Sequence, residues 1–202
     1  MHNAHALFRR NLALARDLSA LHGMLSNIVT VPKTFDDLLR SQLIYAVSAF
    51  DKLMHDLVRI GMLEIFMGTR ASTSKYDVEP ISMQAHMEIV NATIPPREHY
   101  FEQALVRKFK IVSFQDPAKV ADGLSYIWHE TQKWQKISQS LGMTDAMVRT
   151  QLKLIADRRN AIVHEADIDP LTGAKNPITK AESDSSLAFL EKCGDAIYAA
   201  VK

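Results

Sequence analysis

Residues 35–67 read FDDLLRSQLIYAVSAFDKLMHDLVRIGMLEIFM, the longest stretch of the chain with apolar side chains at helical spacing. Apolar residues recur there every three or four positions, which places them on one face of an α-helix. They are Leu39, Leu43, Ala46, Phe50, Leu53, Leu57 and Ile60. The pattern predicts a helix from Phe35 to Met67, long enough to be the spine of a helical bundle.

The segment before this helix also has helical periodicity. A row of leucines at positions 7, 14, 18, 21 and 25 predicts an amphipathic helix over Ala4–Ile28. Val31-Pro32-Lys33 then interrupts the pattern, and Thr34 with Asp37 resembles a capping box at the start of the next helix.

Further apolar periodicities downstream, separated by turn residues, predict shorter helices. We expect helices over Ile81–Ala92, Arg97–Ile111 and Pro117–Ser140, then one from about Asp145 and a last one from about Asp184. Asp116 is a good N-cap before Pro117, and Leu141–Thr144 form a turn with Gly142 at its centre. The whole pattern predicts an all-α, up-and-down bundle of six to seven helices, in a single domain spanning residues 1–202.

Composition restricts the partners and the compartment. A formal net charge of +1 argues against a surface that coats nucleic acid broadly, so any RNA contact must be local. The single cysteine, Cys193, cannot form an internal disulfide and lies in an apolar helical pattern, which favours a buried thiol in a reducing cytoplasm. No stretch is apolar and long enough to predict a membrane span.

A second face of the 35–67 helix combines apolar and polar residues. Ser48, Asp51 and His55 interrupt it at i, i+3 and i+7. One interpretation is an Asp–His pair on the surface, which contributes little. The other is a polar patch that meets a functional surface elsewhere in the bundle.

The stretch from Asp157 to Glu165, DRRNAIVHE, carries the most chemistry. Leu152, Ile155 and Ile162 form an apolar stripe whose i+7 slot is occupied by Arg159. An arginine on a core-facing stripe is unfavourable unless something pairs with it. Helical spacing places Asp157, Asn160 and His164 on one face beside it. A charged run at a helix end is also typical of a solvated face.

Arg159-Asn160-Ala161-Ile162-Val163-His164 resembles the Arg-x4-His signature of the HEPN superfamily, and the helical layout is similar to its RiboL-PSP-type group. Many such all-helical domains are metal-independent RNases of toxin–antitoxin and antiviral systems. The resemblance implies a homodimer whose two motifs face one another across a cleft. Arg158 also satisfies the looser family spacing, so either arginine could be the functional one.

The residues support acid–base and electrostatic chemistry on RNA. Motifs for phosphate loops, zinc sites and nucleophile elbows are missing from the sequence, and no cofactor or metal is expected. His164 would take the proton of a ribose 2′-hydroxyl, Arg159 would stabilise the phosphorane charge, and Asn160 would position the phosphate or the dimer partner. Supporting roles are expected for Ser48, Asp51, His55, Asp157 and Arg158. An antitoxin or regulatory protein would restrain the activity.

Three other functions remain open. The motif could bind RNA or a nucleotide, or hold a dimer, without catalysis. The segments Ile127–Ser140 and Thr144–Ala156 could form a DNA-binding helix-turn-helix, although the second has few side chains suited to base edges. The chain could also be a helical interaction protein without a catalytic site.

Overall fold

A computed structural model describes residues 1–29 and 35–202 of the chain, and those residues form an all-α bundle. Nine helices and no strands occur in these two ranges, apart from an isolated bridge between Ile168 and Lys175. The helices are α1 (His2–Ile28), α2 (Asp36–Phe66), α3 (Ser74–Asp77), α4 (Met83–Val90), α5 (Arg97–Phe109), α6 (Pro117–Leu124), α7 (Lys133–Leu141), α8 (Asp145–His164) and α9 (Lys180–Val201). The predicted fold class is confirmed.

Helix α2 is the spine, as its apolar stripe predicts. It packs against α1, α5, α6, α8 and α9, and its stripe is buried from Leu39 to Leu57, with Ile60 partly buried. Two acidic residues in its first turn, Asp36 and Asp37, complement the positive end of the helix dipole. The predicted break at Val31-Pro32-Lys33 and the predicted cap at Thr34 lie outside the described residues.

The prediction of one helix over Pro117–Ser140 is wrong, because this segment forms two helices, α6 and α7, joined by residues 125–132. The Thr73 hydroxyl, on a distant loop, donates to the carbonyl oxygens of Ser125 and Tyr126 at 2.9 and 3.1 Å. These carbonyls therefore have partners outside the helix, which stabilises its end there. Together with the short α3 in the loop after α2, this split raises the number of helices above the predicted six to seven.

The turns around α8 follow from local residue types. Gly142 ends α7 with a left-handed φ of 65°, and the Thr144 side chain accepts the Met147 N–H to begin α8. Helix α9 begins at Lys180, a turn earlier than Asp184, because Thr179 and Glu182 form a complete capping box.

Helices α1, α2 and α9 pack closely against one another in the core. A Cβ atom on Gly194 would lie 2.5 Å from the Phe8 ring, so only glycine allows α9 to approach α1 at this point. The neighbouring Cys193 is fully buried, and burial raises the pKa of its thiol to about 12. The prediction of a buried core thiol is therefore confirmed. None of the described helices is long and apolar enough to cross a membrane.

Candidate functional site

The motif occupies the last two turns of α8. Arg159 is half-buried, and its Nη1 donates to Asn160 Oδ1 at 3.1 Å. The Nε atom of Arg159 is buried and has no hydrogen-bond partner among the described residues. Asn160 and His164 are exposed, and His164 is the final residue of the helix. A guanidinium with a free buried donor therefore lies in the same two turns as an exposed imidazole.

Arg158, the other candidate arginine, points to a different neighbour. Its Nη2 lies 2.9 Å from Asp167 Oδ2 and 3.0 Å from the Pro177 carbonyl oxygen, and donates to both. Arg158 is therefore tied to the loop after α8, whereas the side-chain hydrogen bond of Arg159 among the described residues goes to its neighbour Asn160.

Asp167 is the centre of a buried ionic cluster beside the motif. Its side chain is inaccessible to solvent, and its Oδ2 accepts from Arg40 Nε at 2.7 Å as well as from Arg158. Arg40 in turn donates to the Asn176 carbonyl oxygen at 2.6 Å and to Asp37 Oδ1 at 3.1 Å. We call Arg40, Asp167 and Arg158 the buried triad. It ties the end of α8 to the start of α2.

The sequence analysis did not identify Arg40 or Asp167. One signal was present: Arg40 lies three residues before Leu43, on the buried side of α2, where a charged residue requires a partner. Its partner is 127 positions away in the chain, so helical spacing could not reveal it.

The backbone after α8 adopts an unusual conformation. Ala166 and Asp167 have φ values of 52° and 60°, in the left-handed region that costs a non-glycine residue roughly 1–2 kcal/mol. The Asp167 N–H donates to the Ala161 carbonyl oxygen at 3.0 Å, which caps α8 with a reversed turn. The buried triad holds this strained turn in place, and the turn determines where α8 ends at His164.

The predicted supporting residues on α2 contact another part of the chain. Asp51 accepts the Phe114 N–H at 2.5 Å, and the His55 Nε2–H donates to the Val112 carbonyl oxygen at 3.0 Å. Arg40, which lies beside the motif, is 15 residues from His55, about 22 Å along the helix axis. Asp51 and His55 therefore hold the segment between α5 and α6, and their bonds do not join them to the motif.

The other two predicted residues are peripheral. Ser48 is exposed in a groove between α1 and α2 that Leu14, Leu18 and Tyr45 also line. Asp157 is exposed, and its carboxylate accepts from Lys153 Nζ at 3.0 Å, four residues earlier on α8. An exposed pair of this kind contributes little to stability. Of the predicted site residues, Arg159, Asn160 and His164 thus lie together on the last two turns of α8, while the Arg158 side chain is bound to the loop after the helix.

A largely apolar cavity of about 690 Å³ lies between α2, α4 and α5. Phe66, one of its lining residues, is 26 positions from Arg40 on α2, about 39 Å along the axis. The cavity is therefore remote from the motif. Over residues 1–29 and 35–202, no group of three or more histidine, cysteine or acidic side chains is arranged to hold a metal ion.

Comparison with known proteins identifies the fold family. The family model described as RiboL-PSP-HEPN matches residues 9–202, nearly the whole chain. This match confirms the resemblance that the Arg-x4-His motif indicates. No curated protein and no solved structure matches the chain.

Proposed function

Because the chain belongs to the RiboL-PSP-HEPN family, we propose that it is a metal-independent endoribonuclease with a role as a toxin or in antiviral defence. The family match supports an RNase-like or nucleotide-binding module. The residues of the motif supply the finer assignment. His164 acts as general base, Arg159 as the cation that stabilises the transition state, and Asn160 positions the phosphate.

The reaction we propose uses these groups from two copies of the chain and the RNA itself. His164 removes the proton of a ribose 2′-hydroxyl, and the 2′-oxygen attacks the adjacent phosphorus. A new bond forms between phosphorus and the 2′-oxygen while the bond to the 5′-oxygen breaks. The leaving oxygen takes a proton from the imidazolium of a second copy. The products carry a 2′,3′-cyclic phosphate and a 5′-hydroxyl, and DNA is not a substrate because it lacks the nucleophile.

The observation that carries this assignment is the difference between the two consecutive arginines. Arg158 is bound to Asp167 and to backbone carbonyls, so its guanidinium is not available to a substrate. Arg159 has one side-chain bond, to Asn160, and a buried Nε without a partner in the described residues. Its guanidinium is therefore not tied to another part of the described chain, and a planar fork of this kind can bind phosphate oxygens.

One copy of the chain supplies few groups for catalysis. One arginine and one histidine supply a single cation and a single titratable group. A two-fold homodimer would bring two copies of Arg159 and His164 to one cleft and supply both a base and an acid. The assembly we propose is therefore a homodimer that binds RNA and is restrained by an antitoxin or another regulatory protein.

A non-catalytic RNA-binding or nucleotide-binding role is the second candidate. It is favoured by the surroundings of His164, which is exposed at the last position of α8 and has no side-chain hydrogen bond to the described residues. A catalytic base is usually oriented by a third group. In this role Arg159 and Asn160 would bind a phosphate, and loss of His164 would leave the affinity for RNA or the nucleotide unchanged.

Separate alanine substitutions of the two arginines test the assignment. Arg159→Ala is expected to lower cleavage of RNA by at least about 10²-fold without unfolding the protein, because it removes stabilisation of the developing charge. Arg159→Lys should restore little, since a point charge replaces a planar fork. Arg158→Ala should retain cleavage but lower the melting temperature, because Asp167 then loses one of its two cations.

Single-turnover cleavage rates and thermal unfolding of each variant provide the two measurements. Arg158→Ala is the matched control, since it removes the same side chain one position away on the same helix. A folded Arg158→Ala protein without activity, beside an active Arg159→Ala protein, would reverse the roles assigned to the two residues.

A further inference from the structure

The segment after α8 is a closed hairpin formed by residues 167–176. Ile168 and Lys175 form an antiparallel bridge, and the Asp169 N–H donates to the Ala174 carbonyl oxygen at 2.8 Å. The Asn176 N–H donates to the Asp167 carbonyl oxygen at the same distance. Gly173 allows the turn, with a left-handed φ of 68°.

The base of this hairpin is fixed to α2 at two points. Asp167 is bound by Arg40 in the buried triad, and Lys175 Nζ donates to both carboxylate oxygens of Asp37 at 2.8 and 3.0 Å. The hydrogen bond from Lys175 and its charge hold the pKa of the Asp37 carboxyl below its usual value. Both arms of the hairpin are therefore attached to α2.

The tip of the hairpin is ordered by Asp169. Its Oδ1 accepts the N–H groups of Leu171 and Thr172 at 2.8 and 2.9 Å. These two hydrogen bonds hold the pKa of the Asp169 carboxyl below its usual value, and the bond from Thr172 has the larger effect. A side chain at the tip is consequently presented in a defined position.

That side chain is Leu171, which is 94% exposed. Burial of a leucine side chain stabilises a fold, and Leu171 makes almost none of this contribution. An apolar side chain at the end of a well-ordered hairpin is available to contact something outside the chain.

The hairpin follows the motif directly. Leu171 is seven residues after His164, so their Cα atoms are at most about 25 Å apart, and the capped turn at Asp167 shortens this path. A nucleic acid strand a few nucleotides long, with one phosphate at Arg159, could therefore extend to the tip.

We infer that Leu171 is a specificity-determining contact for single-stranded RNA, packing against one unstacked base of the strand whose phosphate Arg159 binds. This inference rests on the proposed function, because it takes RNA as the ligand of the motif. Apolar side chains act as wedges against bases in other nucleic-acid complexes, and single-stranded RNA presents bases that are free to be contacted.

A base suits this tip better than a protein surface does. A stable protein interface buries at least about 1,000 Å² in total. The hairpin offers one fully exposed apolar side chain, Leu171, with Ile168 43% exposed near its base. A single side chain on a narrow turn can cover one base without an extended surface around it.

The experiment measures binding of a short RNA in which the nucleotide at the cleavage site is 2′-deoxy, so that binding is separated from cleavage. Leu171→Ser is expected to weaken binding about tenfold with an unchanged melting temperature, because Leu171 is not part of the core. Leu171→Phe should bind at least as well as the original protein, since a ring also packs on a base. Ile111→Ser is the matched control: Ile111 is 92% exposed in the segment that Asp51 and His55 hold, and its replacement should change nothing.

An abasic nucleotide, introduced at one position at a time, identifies the base. At one position its removal should weaken binding by the original protein about tenfold and cause no further loss with Leu171→Ser. Equal RNA binding by Leu171→Ser and the original protein overturns the inference, as does a change of oligomeric state in Leu171→Ser by light scattering. If binding depends on Leu171 but an all-ribose RNA stays uncleaved, the RNA contact stands and the proposed catalysis fails.

Discussion

Replacing His164 with alanine is expected to lower RNA cleavage by about 10²–10⁴-fold, the range typical of the loss of an acid–base group. The side chain is exposed at the end of α8, so its removal leaves the core intact and the melting temperature nearly unchanged. Cleavage of a labelled RNA under single-turnover conditions measures the effect. His129→Ala is the control, since His129 is also exposed and lies outside the motif.

The same variant separates catalysis from binding. His164→Ala should still bind RNA, because Arg159 and Asn160 remain. A folded His164→Ala protein with the cleavage rate of the original protein would exclude His164 as the base and favour the binding module.

Asp167→Ala is expected to destabilise the protein by about 3–5 kcal/mol, the largest effect on folding that we predict. The substitution leaves the guanidinium of Arg40, which is 8% exposed, without its buried carboxylate, and Arg158 without its ionic partner. It also removes the contact that holds the strained turn at Ala166 and Asp167. Urea denaturation followed by circular dichroism measures the free energy of unfolding.

Asp169→Ala is the matched control for this effect. Asp169 is the same residue type two positions later, but its carboxylate caps two N–H groups near the surface. Its replacement should lower the free energy of unfolding much less than Asp167→Ala does, because only a local cap is lost. Equal losses of stability in the two variants would show that the buried triad does not stabilise the fold.

The helices that could be predicted from the sequence are those whose signals are local. The apolar stripe of α2, the glycine turn at Gly142 and the Thr144 cap each lie within a few residues of the structure they produce. The end of α6 could not be predicted, because Thr73 satisfies carbonyls more than 50 positions away. Periodicity continued through Ile127, which is buried whether or not the segment is helical.

For the candidate site, too, local features could be predicted from the sequence and distant contacts could not. Arg159, Asn160 and His164 lie within six residues of one helix, so helical geometry alone brings them together. Asp51 and His55 could be assigned to one face of α2, but a face does not reveal which segment packs on it. That segment contains Val112 and Phe114. The choice between Arg158 and Arg159 also required a distant residue, Asp167.

Analysis of the RNA ends after cleavage in EDTA tests the central claim most directly. Two matched RNAs would be incubated with the purified protein, one all-ribose and one with a 2′-deoxy nucleotide at the cleaved position, and the products identified by mass spectrometry. We predict a 2′,3′-cyclic phosphate and a 5′-hydroxyl from the first RNA and no product from the second at that position. Cleavage of the 2′-deoxy RNA at that position, or products with 5′-phosphate ends, would contradict the proposed mechanism.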